Sequence, residues 1–244
     1  MKKELFVWGL LGVLGLNARP SQAQSVELAM DIFTSSVLSQ TTTLLNNNAV
    51  MAAARNAEAE KRGGSAASAK RRISLAYTPT PALRQQTVQN LARQLQARNV
   101  AAGQAITNAF GPGKTDYNQL FGQMVQQSGL PANNAATAFA AYLEIAYVAV
   151  NNVPEASVTP AMDRALQRQT SSLLSGNTSL TSPAAVARLG EELKLQAVVL
   201  YLGWQAAKKN GQEAQFKTNI ANTFKSKGLD LAALRFTNSG LVKR

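Results

Sequence analysis

The stretch AATAFAAYLEIAYVAV, Ala135 to Val150, decides the fold. It holds neither Gly nor Pro and is apolar almost all the way round, with one charged residue, Glu144. A helix with no polar face belongs in the middle of a larger domain or in a membrane. Its sixteen residues, at about 1.5 Å each, give roughly 24 Å, short of the roughly 20 apolar residues that a span requires. The seven alanines and the mid-stretch Glu144 also argue against lipid. The expectation is a narrow, buried central helix with amphipathic helices packed around it.

Outward from this stretch, the flanking segments carry the punctuation of helices. Asn133 or Asn134 caps the central helix, and NNVP at 151–154 stops it. Upstream, Tyr117, Leu120, Phe121, Met124 and Val125 recur at i, i+3, i+4, i+7 and i+8, predicting a helix over Asp116 to Gln127. Gly129 suits the left-handed position after it. Before that, Thr78-Pro79-Thr80-Pro81 keeps the chain extended, and Thr80 caps a helix to about Arg98 with Leu83, Thr87, Leu91 and Leu95 on one stripe. Downstream, Thr159-Pro160 and Ser182-Pro183 start two more helices, ending near Gly176 and Lys209. Phe216, Ile220 and Phe224 mark a last one that stops at Gly228. The tail LDLAALRFTNSGLV is apolar enough to pack back on the bundle, and no segment shows clear period-two alternation. The fold class is therefore all-α, a compact multi-helix bundle around a buried Ala-rich helix.

The N-terminal part reads differently. MKKE is basic, Leu5 to Leu16 is an apolar run, and Ser21 and Ala23 are the small residues of a cleavage site. This is the pattern of a secretory signal peptide over 1–23, cleaved after Ala23. No Cys follows for lipid attachment, and LVKR at the end is no hydrophobic tail. The expectation is an exported protein, periplasmic or extracellular. Residues 24–72 read as a weakly helical arm ending in KRGGSAASAKRR, a Gly/Ser/Ala linker between basic clusters. The helical domain is then 73–244.

Composition removes whole classes of chemistry. The chain has no Cys and no His, so thiol nucleophiles, disulfides, soft zinc ligands and the usual neutral-pH base are absent. Any catalysis falls to carboxylates, Ser/Thr, Tyr or Lys. No cofactor is expected. GPGKT at 111–115 resembles the end of a phosphate-binding loop. The full pattern, however, needs Gly where Asn108 stands, and no strand precedes it. It reads as a turn with a solvated Lys114.

The residues also resemble a family of exported bacterial proteins catalogued only as a domain of unknown function. The likeness rests on Tyr77, Thr78, Pro79, Thr80 and Arg84, on Gly129-Leu130, and on Ala138 and Tyr142. It continues with Gly228-Leu229-Asp230-Leu231 and Gly240, so that it covers roughly 75–242. The family's central helix often has Trp after its Tyr, where this chain has Leu143-Glu144. The resemblance implies an all-helical exported domain and brings no activity or site residues with it.

Two candidate sites remain. Glu144, if buried alone, would have a raised pKa and could act as a general acid in glycan cleavage, given a second carboxylate nearby. The plainer reading is a structural Glu, paired with an Arg such as Arg84 or sitting at the bundle edge. Glu191 and Glu192 are adjacent on a helix and diverge, so they form no catalytic pair. Tyr142, Tyr147, Tyr201 and Trp204 sit at helical spacing inside apolar stripes and read as core. The second candidate is charge. The chain carries 25 Lys+Arg against 13 Asp+Glu, a net +12, with a dense basic run between Arg55 and Arg98. Lys61, Arg62, Lys70, Arg71 and Arg72 would attract an anionic polymer or membrane surface, or merely keep the arm solvated; no specific nucleic-acid motif accompanies them. The favoured expectation is a non-enzymatic module of binding or structural contact. Its rival is a carboxylate-dependent glycan or cell-wall hydrolase using Glu144.

Overall fold

The computed structural model describes residues 73–177 and 180–244. Among these residues it has seven α-helices and one small hairpin. The helices are α1 (Pro81–Gln96), α2 (Val100–Phe110), α3 (Tyr117–Val125), α4 (Ala135–Asn151), α5 (Pro160–Ser175), α6 (Pro183–Lys209) and α7 (Glu213–Ser226). Strands β1 (Leu234–Thr237) and β2 (Gly240–Lys243) close the chain. The basic arm residues Lys61, Arg62, Lys70, Arg71 and Arg72 lie outside the described residues.

Local chemistry sets the starts. Thr80 accepts from the Leu83 amide at 3.1 Å, Thr159 from Met162 at 3.3 Å and Ser182 from Ala185 at 3.2 Å, each followed by Pro at the first helical position. Asn134 caps α4 by accepting from Ala136 at 2.8 Å. Each cap contributes about 1 kcal/mol. Asn152 ends α4 in the left-handed region, with φ 52°.

Packing then arranges them around α4, the central helix. All of its residues except Glu144 and Asn151 are buried. It packs chiefly on α6 and α5, with α7 and the C-terminal 3-10 turn (Leu231–Ala233) against its later half. The many alanines let neighbouring backbones come close, while Phe139, Tyr142 and Leu143 fill the gaps. Each such large side chain contributes about 1.5–3 kcal/mol when fully buried. α1 and α2 pack on each other, α1 and α3 pack on α6, and α2 completes a layer that the sequence reading did not mark. The segment before α1 is extended and pairs with the start of α4: the Tyr77 amide donates to Asn133 at 3.1 Å and the Ala135 amide to Leu75 at 2.9 Å.

The tail departs from expectation. It packs back on the bundle, but as an antiparallel hairpin with Phe236 opposite Leu241. Gln169 of α5 explains why: its side-chain amide donates to the Leu241 carbonyl at 2.9 Å and accepts from the Leu241 amide at 2.8 Å. A buried side chain thus replaces a third strand along the edge of β2. Gly240, at φ 90°, sits so close to that amide that a Cβ there would overlap the Gln169 oxygen.

Candidate functional site

Two regions of the bundle bury charged or polar groups, and they differ in whether those groups are satisfied. The first is centred on α6. Glu191 and Lys194 form an ion pair of 2.8 Å, with both side chains fully buried. The two Glu191 oxygens also accept from the hydroxyls of Tyr77 at 2.8 Å and Tyr117 at 2.6 Å. Lys194 spends its other two protons on Asn118 and Asn133, each at 2.7 Å. Its ammonium lies 5.1 Å from the Tyr77 ring centre and 5.9 Å from that of Phe121.

Every donor of the ammonium is used, which is what permits such burial. Burial pushes the Lys194 pKa down, and the bond and charge of Glu191 oppose that. Burial first, and then the Glu191 charge, raise the Tyr77 and Tyr117 hydroxyls far above the ordinary tyrosine range. The ring of Tyr77 lies against Gly190, where any Cβ would overlap it. The network ties the extended opening segment, α3, the start of α4 and α6 together. With the ion pair itself buried and each of its charged atoms partnered, it acts as a clamp.

Arg84, the other charged residue of the opening motif, binds Asp116 at 2.6 Å. The expected pairing of Arg84 with Glu144 is therefore corrected: the Arg84 partner is the residue that caps α3. GPGKT forms the turn between α2 and α3, with Gly113 at φ 72° and Lys114 exposed.

The second region is a cavity of about 410 Å³ between the end of α3, the middle of α4, the start of α5 and the second half of α6. Its size falls in the roughly 300–1,000 Å³ range of small-molecule sites. Met124, Leu130, Ala141, Ile145, Val148 and Val158 supply much of an apolar wall. Glu144, Glu155 and Asp163 all line it, and no Lys or Arg does. Glu155 binds Gln205 and Lys208, each at 3.4 Å. The Lys208 ammonium also lies 3.7 Å from the centre of the Trp204 ring. Tyr201 meets Trp204 edge to face, with ring centres 6.4 Å apart. Burial, and then the Glu155 charge, raise the Tyr201 hydroxyl to about 12.

Two buried polar atoms on residues lining this cavity have no hydrogen-bond partner: the Thr137 hydroxyl and the Trp204 indole nitrogen. Leaving such a group unpaired costs about 1–3 kcal/mol. Among the described residues, no group of three or more carboxylates, Cys or His is placed to hold a metal ion.

Sequence reading singled out Glu144, but not the residues that line the cavity with it. Glu155 sits in a 3-10 turn (Glu155–Ser157) and Asp163 in the first turn of α5. Both lie beyond the corner that follows α4, and nothing in their spacing points back to Glu144. Of the four aromatics expected in the core, Tyr142, Tyr147 and Trp204 are buried there and Tyr201 packs against it half-buried; Tyr201 and Trp204 also line the cavity.

The model of a family of unknown function, DUF6683, matches residues 8–244. The match begins far upstream of the segment from about 75 that carries the motif likeness. No curated protein and no solved structure matches the chain.

Proposed function

Since the chain belongs to the DUF6683 family, which brings no activity with it, we propose from geometry that it is a non-enzymatic, exported binding module. Its site is the cavity between α3, α4, α5 and α6. One observation carries this reading: a cavity of about 410 Å³ with a largely apolar wall lies between four helices and is lined also by Glu144, Glu155, Asp163 and the aromatic pair Tyr201 and Trp204. A ligand that fills it would bury an apolar body against that wall. Export rests on the signal-peptide pattern of residues 1–23.

The test is binding of a neutral apolar probe, N-phenylnaphthylamine, followed by its own fluorescence and by that of Trp204. A Trp204→Phe variant separates the latter from Trp8. One probe per chain is expected, and Ala141→Leu, which fills the cavity, should abolish binding. Probe binding unchanged by Ala141→Leu would place it elsewhere and sink the reading.

One rival has an observation of its own. Glu144 shares its cavity with Glu155 and Asp163, and paired carboxylates about 5–10 Å apart are the machinery of glycoside hydrolysis. Under that reading, purified protein cleaves a cell-wall preparation and Glu144→Gln does not. The binding reading is preferred because Glu155 is already held by Lys208 and Gln205.

A further inference from the structure

The charge around the cavity runs against the charge of the protein. A chain of net +12 places three carboxylates on this lining and no basic residue. The end of α3 and its 3-10 extension (Gln126–Ser128) also form part of the wall, and a helix C-terminus carries partial negative charge. We infer that the ligand is an amphipathic organic cation, an ammonium group on an apolar body. This rests on the reading of the cavity as a binding site.

Three features select that class. Three negative groups line the cavity and, among the described residues, no set of three is placed to chelate a metal, which suits a bulky ammonium. The aromatic pair Tyr201 and Trp204 adds a π-surface, and ring faces attract ammonium groups most strongly where water is excluded. The protein, moreover, already seats a cation in this corner: Lys208, 3.7 Å over the Trp204 ring and 3.4 Å from Glu155. Lys208 is not part of the lining and is partly exposed, so its ammonium can leave for solvent. It acts as an internal competitor for Glu155. The apolar walls take the body of the ligand.

The experiment compares three probes of equal chain length, octyltrimethylammonium, octanol and octanoate, as competitors of N-phenylnaphthylamine on the full chain. The ammonium should bind about ten-fold more tightly than octanol, the yield of a desolvated cation–π contact with an ion pair. Octanoate should bind worst. Glu155→Gln should remove several-fold of the ammonium preference and leave octanol unchanged, because the cavity keeps its shape. Lys208→Met should do the reverse and tighten the ammonium several-fold, an effect no merely structural lysine would give. Equal binding of ammonium and octanol, or tightest binding of octanoate, would overturn the inference and leave the cavity reading standing. Failure of all three to compete would overturn both.

Discussion

The clamp around Glu191 and the cavity around Glu144 are built from the same materials, a glutamate on an apolar helix with a lysine and aromatics near it. In the clamp, each charged atom meets a partner and the pair is sealed from water. In the cavity, Glu144, Glu155 and Asp163 line a common volume, and the buried Thr137 hydroxyl and Trp204 indole nitrogen of lining residues lack a partner. A buried charge with all partners present resists change, because removing one partner strands the other. A buried polar atom without a partner costs stability instead. Opposite responses to substitution should therefore separate the two regions.

The largest effect belongs to the clamp. Lys194→Met leaves Glu191 buried without its cation and should cost about 3–5 kcal/mol, read as a fall in the denaturation midpoint. Adding Glu191→Gln to it should cost less than the sum of the two single changes, because the pair is coupled. Strict additivity would mean the pair is not the unit described. Tyr77→Phe removes one hydroxyl donor from a carboxylate and should cost about 1.5–3 kcal/mol. Gly190→Ala should cost about 1–3 kcal/mol by pushing the Tyr77 ring from its seat. In Tyr77→Ala, where the ring is gone, Gly190→Ala should be nearly neutral.

The cavity should respond with the other sign. Thr137→Val keeps the shape and removes an unpartnered hydroxyl, so stability should rise by about 1 kcal/mol. A loss of stability would mean that the hydroxyl is already well served.

The smallest effect tests a third carboxylate that belongs to neither region. Burial raises the pKa of Glu192, with Arg188 opposing. A carboxyl raised in the folded state favours the protonated form. Its contribution is therefore fully present below the unfolded pKa and is lost as pH rises through the folded one. Glu192→Gln should raise the melting temperature at neutral pH by about 1–2 °C and leave it unchanged in acid. A rise equal at both pH values would point to packing instead of ionisation.

Much of the helical layout was legible in the residues. Thr80, Thr159 and Ser182 before Pro state where three helices begin, and each cap closes within three residues of the chain. The apolar stripe of Ala135 to Val150 states that α4 is central. What escaped depended on distant partners. Leu234-Arg235-Phe236-Thr237 is a four-residue alternation too short to stand out, and it becomes a strand beside β2 and the amide of Gln169 on α5. Glu191 and Lys194, at i and i+3, have the look of an ordinary solvated pair. Only Tyr77, 114 residues away, and Asn133, 61 away, reveal that they are buried.

By itself, then, the sequence determined where six of the seven described helices lie and which of them is innermost. Caps, turns and apolar periodicity act over a few residues, and their energies are written in adjacent side chains. Only the tertiary structure decided what each carboxylate does. Glu144, Glu155 and Asp163 come to share one cavity while Glu191 is sealed into a clamp. The cost of burying a charge depends on the groups that surround it in space, and here those groups come from α3, α4, α5 and α6 together.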